Sequence, residues 1–478
     1  MKKIAGVEIQ KHSILKRGRR KQIGAILRSL ESRFSVRKSF KLGGLVRAGG
    51  DCEEPVHRWF CYREGYSLAL AARLLQDVPQ GGLVVDPCCG TGVTLLAARE
   101  RECFSIGIDP NPLATFASRV KTTGYSEGAR QRLINLSESL GGLHLTDPAH
   151  EPPTLRRLER VFMPEVLHAL LVIQCRIIEI EEAEARDFFL LAWLSVLEGL
   201  SNLRREGSLK SRRRKRLYGG GYEVVPLEVW QSGALPADPF AHVLSEFLSR
   251  AQEMLADLGS QGTSRRSVVG TPEIKSHEKS YEPVVFGGSA MDLDTVVQPE
   301  SADAVVFSPP YLNTLNYVNA YRIELWMGGF LRSYEDRKTL NRGSIRSHFD
   351  TTLTREGDGE PLEELEGLIG WMDAEALWNQ DIPQMVRGYF HDLAKVLERT
   401  FAVLKPGGVC RIVVGTSAYG RVVIPTDLLL AAIAEAKGFM VERISVARSL
   451  GTSSQQMPSL KPFHGYLRES ILFLRKNK

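Results

Sequence analysis

The sequence lacks several of the patterns by which chemistry is usually recognised. Its seven cysteines are irregularly spaced and include no pair of Cys-x-x-Cys units, so neither a zinc site nor a disulfide framework is expected. No metal role is expected either. The one glycine-rich loop is not followed by Gly-Lys-Ser or Gly-Lys-Thr, which excludes a phosphate loop, and the full dinucleotide glycine pattern is missing too. No apolar run is long enough to span a bilayer, and Met1-Lys2-Lys3-Ile4-Ala5 carries no apolar signal core. With little use of cysteine, that reads as a cytoplasmic protein with no membrane partner. Neither sign of charge dominates: +6 over 478 residues matters only where it is concentrated.

It is concentrated in two places. Residues 1–48 carry Lys11, Lys16, Arg17, Arg19, Arg20, Lys21, Arg28, Arg33, Arg37 and Lys38 against very few acids. Such an arm suits nucleic-acid phosphates, each neutralised phosphate releasing a counterion, and a solvated terminus has the same composition. The second cluster runs from Asn202 to Gly221, with Arg204, Arg205, Lys210 and the run Arg212 to Arg216. Phosphate contact or a solvated loop would both use it.

Three stretches carry the chemistry. Leu83-Val84-Val85-Asp86-Pro87-Cys88-Cys89-Gly90-Thr91-Gly92 followed by Val93 to Ala98 reads as strand, glycine loop and helix. Its glycines permit a tight turn, and the exposed amides favour an electronegative group. Ser105-Ile106-Gly107-Ile108-Asp109 reads as a second strand ending in a carboxylate able to accept both hydroxyls of a ribose. The third stretch is Ala304-Val305-Val306-Phe307 leading into Ser308-Pro309-Pro310-Tyr311. A loop past the carboxyl end of a buried strand faces a ligand crevice. Two prolines stiffen it, Ser308 offers a small acceptor, and Tyr311 offers a flat face.

The pair Asp-Pro-x-Cys-Gly-Thr-Gly and Ser-Pro-Pro-Tyr resembles the S-adenosylmethionine-dependent amino methyltransferases of DNA, and Ser-Pro-Pro-Tyr is most similar to their cytosine-N4 branch. His57 to Ser67 resembles the segment that packs over the cofactor in that family. Gly288-Ser289-Ala290-Met291-Asp292-Leu293 resembles the one that brings an acidic residue to the adenine. The resemblance covers roughly residues 55–120 and 284–478, and the motifs' order along the chain is more specific than any one of them. It implies S-adenosyl-L-methionine as cofactor, with Asp86, Pro87, Cys89, Gly90 and Gly92 around its methionine end, Asp109 on its ribose, Asp292 on its adenine, and Trp59 and Tyr62 over it. It implies that Ser308 and the Pro309 carbonyl accept from an exocyclic amine, that Pro310 shapes the loop, and that Tyr311 stacks on an extruded base. Duplex DNA is the implied partner, with a cognate restriction endonuclease beside it. No Pro-Cys-Gln nucleophile of the cytosine-C5 kind occurs, so Cys88 and Cys89 read as packing residues. Adenine-N6 methylation, methylation of an RNA exocyclic amine such as guanine-N2, and a non-catalytic DNA-binding defence component stay open as alternatives.

The expected fold is α/β: a Rossmann-like methyltransferase sheet, parallel but for an antiparallel strand near one edge, with an α-helical insertion between its second and third strands. The division is a basic arm (1–48), a first catalytic segment (49–121), a mainly helical insertion and candidate DNA-recognition region (122–282), and a second catalytic segment (283–478). Leu167 to Ile173 and Asp187 to Leu194 have helical spacing within the insertion. A target-recognition region placed before Asp292 departs from the family's usual order. Residues 331–380, with Arg337, Arg342, Arg346, His348 and Arg355, read equally as a flap and as a surface insertion.

Overall fold

The computed structural model describes residues 18–47, 53–62, 65–206, 208–212, 214–216, 222–224, 235–261, 281–355, 358–359, 362–451 and 457–477. Short apolar runs bounded by glycine, proline or aspartate become the strands of one sheet: β1 (Val36–Lys38), β2 (Leu83–Asp86), β3 (Phe104–Asp109), β4 (Val284–Gly287), β5 (Ala302–Phe307), β6 (Leu404–Gly415), β7 (Phe439–Ser449) and β8 (Arg468–Lys476). They lie in the order β1-β7-β8-β6-β5-β2-β3-β4. Neighbours run parallel except at β8, which is antiparallel to both β6 and β7. The Rossmann-like α/β class expected from the motifs is the class observed. Successive strands β2, β3 and β4 step one way, and β5 then returns to the other side of β2. That reversal opens a crevice beyond the carboxyl ends of β2 and β5, where ligands of such sheets bind.

Helices cover both faces. A helix over 18–32, α1, sets Ile23, Leu27 and Leu30 into the core shared by the sheet, α12 (Ile382–Val403) and α13 (Thr426–Ala436). The opposite face is covered by α2 (Leu68–Leu74) and α3 (Val93–Glu100). The basic residues of 18–47 therefore belong to the sheet's margin: β1 pairs with β7, Arg33 meets Glu364 and Glu435, and Glu31 accepts from Arg468 at 2.7 Å. Residues 1–17 of the basic arm lie outside the described residues.

After α4 (Pro112–Thr122), which starts on proline as a helix can without losing a bond, the insertion contributes α5 (Glu127–Gly141), α6 (Pro164–Ile178), α7 (Ala183–Leu200) and α8 (Pro239–Gln261). Two short hairpins, Leu203–Glu206 with Ser208–Ser211 and Arg214–Arg216 with Tyr222–Val224, begin within the second basic cluster, the last strand lying just past its end. These helices form a second core that includes Trp59, Phe60 and the apolar side of α10 (Arg322–Met327). The insertion is tied to the catalytic sheet by a buried ion pair: Arg205 Nη2 reaches Glu324 on α10 at 2.5 Å, both nearly without solvent exposure, and Nη1 reaches Glu198 at 2.8 Å. Short helices α9 (Tyr317–Ala320) and α11 (Tyr334–Gly343) flank α10.

Candidate active site

The crevice is built first from backbone. Gly90 and Gly92 both have positive φ, 50° and 86°, the left-handed region that glycine enters without steric cost. A Cβ at Gly92 would lie 2.5 Å from Ser118 Oγ, so this glycine lets α3 start against α4. Gly107 permits the same close approach a layer below, where a Cβ would meet Leu95 at 2.6 Å and Cys89 at 3.0 Å. The loop is closed by carboxylates that accept from backbone: Asp109 from the Gly90 and Asn111 amides at 3.0 and 2.9 Å, Asp86 from the Cys88 amide at 3.0 Å. Asp86 also accepts from Thr94 Oγ1, whose partner is the Tyr66 hydroxyl at 2.7 Å.

These carboxylates are costly to ionise. Burial pushes Asp86 up to about 7, against the opposing pull of its hydrogen bonds, with a smaller contribution from the charge of Asp109. Burial likewise lifts Asp109 to about 6. No lysine or arginine lines the crevice among the described residues. Two carboxylates without a counter-cation in an enclosed cleft favour a positively charged ligand. Burial also raises the Cys88 and Cys89 thiols, which leaves them protonated packing groups; Cys61 carries a disulfide, while Cys88, Cys89, Cys103, Cys175 and Cys410 are free.

The second wall is the loop after β5. Ser308, Pro309 and Pro310 line the crevice, and the loop is pinned from outside it: Tyr389 donates to the Pro310 carbonyl at 2.9 Å, and Ser417 and Tyr419 both donate to that of Leu312. Tyr311 is placed differently from the expected stacking platform. Its ring packs on Gly415, where a Cβ would come within 2.9 Å of it, and its hydroxyl donates to Glu469 on β8 and lies beside Ser308. The aromatic rings that line the crevice are those of Tyr62, Tyr66 and Tyr317. Tyr62 lies over Gly90, 3.6 Å from where its Cβ would be, and stacks on Tyr321 with centroids 4.6 Å apart.

Of the residues expected around a cofactor, Tyr62, Asp86, Pro87, Cys89, Gly90 and Asp109 converge on this crevice. Three do not line it. Gly92 acts through the turn just described. Trp59 is buried in the second core and donates from Nε1 to Asp257 at 2.9 Å, so it supports the wall from behind. Asp292 is exposed, and Ser289 and Ala290, from the start of the same segment, line the crevice instead: the 3-10 turn Ala290–Thr295 carries Asp292 past it. Motif reading overlooked Lys121, buried on α4, whose Nζ donates to the His57 and Phe60 carbonyls at 3.0 and 2.8 Å and so holds the 57–62 segment over the glycine loop. It also overlooked Gly343 to His348, within the unassigned 331–380 stretch, which closes the crevice and is held by buried Arg346 on Asp358 and Asp392 at 2.6 and 2.7 Å. No local pattern marks either; a hydrogen bond or ion pair between distant residues leaves no periodic trace.

An S-adenosylmethionine molecule suits this donor set. The carboxylates face where a sulfonium, an ammonium and a ribose would bring charge and hydroxyls, and the buried Asn111 Nδ2 on the lining has no partner. No group of three or more metal-ligating side chains occurs among the described residues, and no described helix is long and apolar enough to cross a membrane.

No family model matches the chain. It is 25% identical over 490 residues to the Type II methyltransferase M.AvaI of Nostoc sp., covering 95% of this chain and 94% of that one. It is also 25% identical over 452 residues to the Type II methyltransferase M.BsoBI of Geobacillus stearothermophilus, covering 86% of this chain and 84% of that one. A solved structure, TrmN from Thermus thermophilus, aligns at a TM-score of 0.27 and 10% identity over 86% of this chain and 48% of that one. Along nearly its whole length, then, this chain is similar to Type II methyltransferases.

Proposed function

We propose that the protein is a site-specific DNA methyltransferase that modifies the exocyclic N4 amine of cytosine. The observation that carries the reading is the meeting of two walls in one crevice: a carboxylate-lined glycine loop suited to the cofactor, and an intact Ser308-Pro309-Pro310 loop facing it. The full-length likeness to Type II methyltransferases supports it.

In this reading Asp109 takes the ribose hydroxyls, Ser289 and Ala290 border the adenine, and Asp86, Gly90 and Asn111 surround the methionine end. When bound, the cofactor supplies an electrophilic methyl group. An exocyclic amine is a weak nucleophile because its lone pair is delocalised into the ring, so the protein must hold the nitrogen in line and favour its tetrahedral form. Ser308 Oγ and the Pro309 carbonyl accept from the amine and do this. Tyr311, tied to Glu469 and beside Ser308, positions that hydroxyl, and the face of Tyr317 takes the base extruded from the stack. No covalent nucleophile is needed. Cytosine is favoured over adenine by the serine at the first position of the motif.

The deciding experiment is single-molecule sequencing of genomic DNA from cells expressing the wild-type protein beside cells expressing Ser308→Ala. A recurrent N4-methylcytosine site present only with the wild type is expected. A recurrent N6-methyladenine site would keep the enzyme and overturn the base; identical modification patterns in the two strains would overturn DNA methylation.

A further inference from the structure

A second cavity lies beside the first, and the two share helices. Tyr317 and Val318 on α9 and Leu340 and Gly343 on α11 line the crevice; Asn319 on α9, Arg322 on α10 and Arg337 on α11 line the second cavity. Its opposite wall is the insertion, which contributes Arg156, Arg157 and Arg160. Five arginines thus line one cavity, and no aspartate or glutamate does. None of the five is in an ion pair among the described residues.

The fully buried arginines of this protein are each paired with carboxylates. Buried Arg205 has Glu198 and Glu324, Arg346 has Asp358 and Asp392, and Arg468 has Glu31 and Asp427. In the cavity the guanidiniums find only partial partners. Arg337 donates to Asn319 Oδ1 at 3.0 Å; Arg156 and Arg337 lie over the Tyr334 ring at 5.2 and 5.8 Å from its centroid. The Nε atoms of Arg322 and Arg337 are buried without an acceptor. Burial, and secondarily the charge of Arg337, lower the Arg322 guanidinium from its ordinary value against the favourable Tyr334. Like charges gathered in a part-desolvated pocket are costly unless an anion occupies it, and guanidinium forks match the oxygens of a phosphate.

We propose that this cavity takes a backbone phosphate of the DNA strand whose base enters the crevice. This rests on the DNA reading above. The ligand chemistry is a phosphate oxyanion; the strand is its source because the cavity backs onto the helices that carry Tyr317, and because the basic hairpin Leu203–Glu206 with Ser208–Ser211 reaches its rim through Leu203 and Ser211. A phosphate seated here would register the strand so that its neighbouring nucleotide faces Ser308, a contact that positions without reading sequence.

The test is fluorescence anisotropy of a labelled duplex across a salt series, with the wild-type protein, the Arg322→Gln/Arg337→Gln variant and the Arg156→Gln/Arg157→Gln variant, whose residues are exposed and whose loss does not endanger folding. Each variant is expected to bind duplex DNA about tenfold more weakly near physiological salt, irrespective of sequence, with the log–log salt slope shallower by about one. S-adenosylmethionine affinity, measured by calorimetry, should be unchanged. An unaltered slope in both variants would overturn the proposal while leaving the methyltransferase reading intact. Stabilisation of the wild type alone by millimolar inorganic phosphate, with equal DNA slopes, would make the ligand a free phosphate and overturn the strand as its source. Arginine-dependent binding of single-stranded RNA but not of duplex DNA would do the same. Wild-type protein that binds cofactor but no nucleic acid would instead sink the DNA reading on which the proposal stands.

Discussion

Two cavities back onto the same pair of short helices, and their electrostatics are opposite. The crevice holds Asp86 and Asp109 and no cation among the described residues; its neighbour holds five arginines and no carboxylate. The first is made of backbone: two glycines at positive φ and three amides closing onto two carboxylates. The second is made of long side chains brought from the insertion and from α10 and α11. Uncompensated charge of either sign in a half-buried site is a standing cost, about 1.4 kcal/mol for each unit by which a pKa is displaced. A protein that pairs its buried arginines with carboxylates carries these two costs where ligands of opposite sign would relieve them: a sulfonium cofactor on one side, a polyanion on the other.

The division can be tested by breaking each half alone. The largest effect is expected at the joint between them. Glu324→Ala removes the carboxylate that balances Arg205 beneath Tyr321, and breaking a buried pair from one side costs about 3–5 kcal/mol. Chemical denaturation should show that loss of stability, and a change below about 1 kcal/mol would mean that Glu198 alone suffices. Next comes Ser308→Ala. Removing one preorganised group at the reacting nitrogen should lower turnover on the order of 100-fold, with binding of cofactor and DNA both kept, because Ser308 belongs to neither charged set. Single-turnover methyl transfer measures it; equal loss of cofactor affinity would move Ser308 into the cofactor half. Asp109→Ala should weaken cofactor binding by about 10- to 100-fold, the worth of hydrogen bonds to a charged group, and leave the salt slope of DNA binding untouched. If the slope moved too, the two cavities would not be independent.

How far each half could be read from sequence follows the same division. That Asp86, Gly90, Asp109 and Ser308 meet at one crevice was legible because each lies within a few residues of a strand end, where apolar run, turn and helix start are all local. The Rossmann-like class of the sheet and the helical insertion were legible for that reason as well, but the edge strand β1, which pairs with β7 from within the basic arm, was not. Asp292, Trp59 and Tyr311 show the limit. Asp292 is carried past the rim by an irregular 3-10 turn that presents Ser289 instead, and the other two are set by segments far away in the chain: Asp257 receives Trp59 from 198 residues on, and Gly415 with Glu469 claims Tyr311. The basic cavity was not legible at all. Its arginines come from 156–160, 322 and 337, and the two charge clusters visible in the sequence lie elsewhere, the first folded against the sheet over its described length and the second touching the cavity's rim, among its described residues, through Leu203 and Ser211.

The smallest effect separates the halves by pH. Asp86 and Asp109 sit at about 7 and 6 in the free protein, against about 3.9 in an unfolded chain. A folded pKa above the unfolded one means the native state holds the proton more tightly, so these groups add stability at low pH and lose it as pH rises through the folded values. The free protein should therefore lose stability between about pH 4 and pH 7 on their account. A cationic cofactor binds the ionised carboxylates, so its affinity should climb over the same upper range, by up to about tenfold from pH 5.5 to 7.5, and binding should release protons below pH 7. S-adenosylhomocysteine lacks the sulfonium charge and should show a shallower climb. Arginines do not titrate in this range, so DNA affinity attributable to the second cavity should stay flat while cofactor affinity rises. Calorimetry in two buffers of different ionisation enthalpy measures the proton release directly; parallel pH profiles for cofactor and DNA would mean that one titrating group serves both cavities, and the opposition between them would be lost.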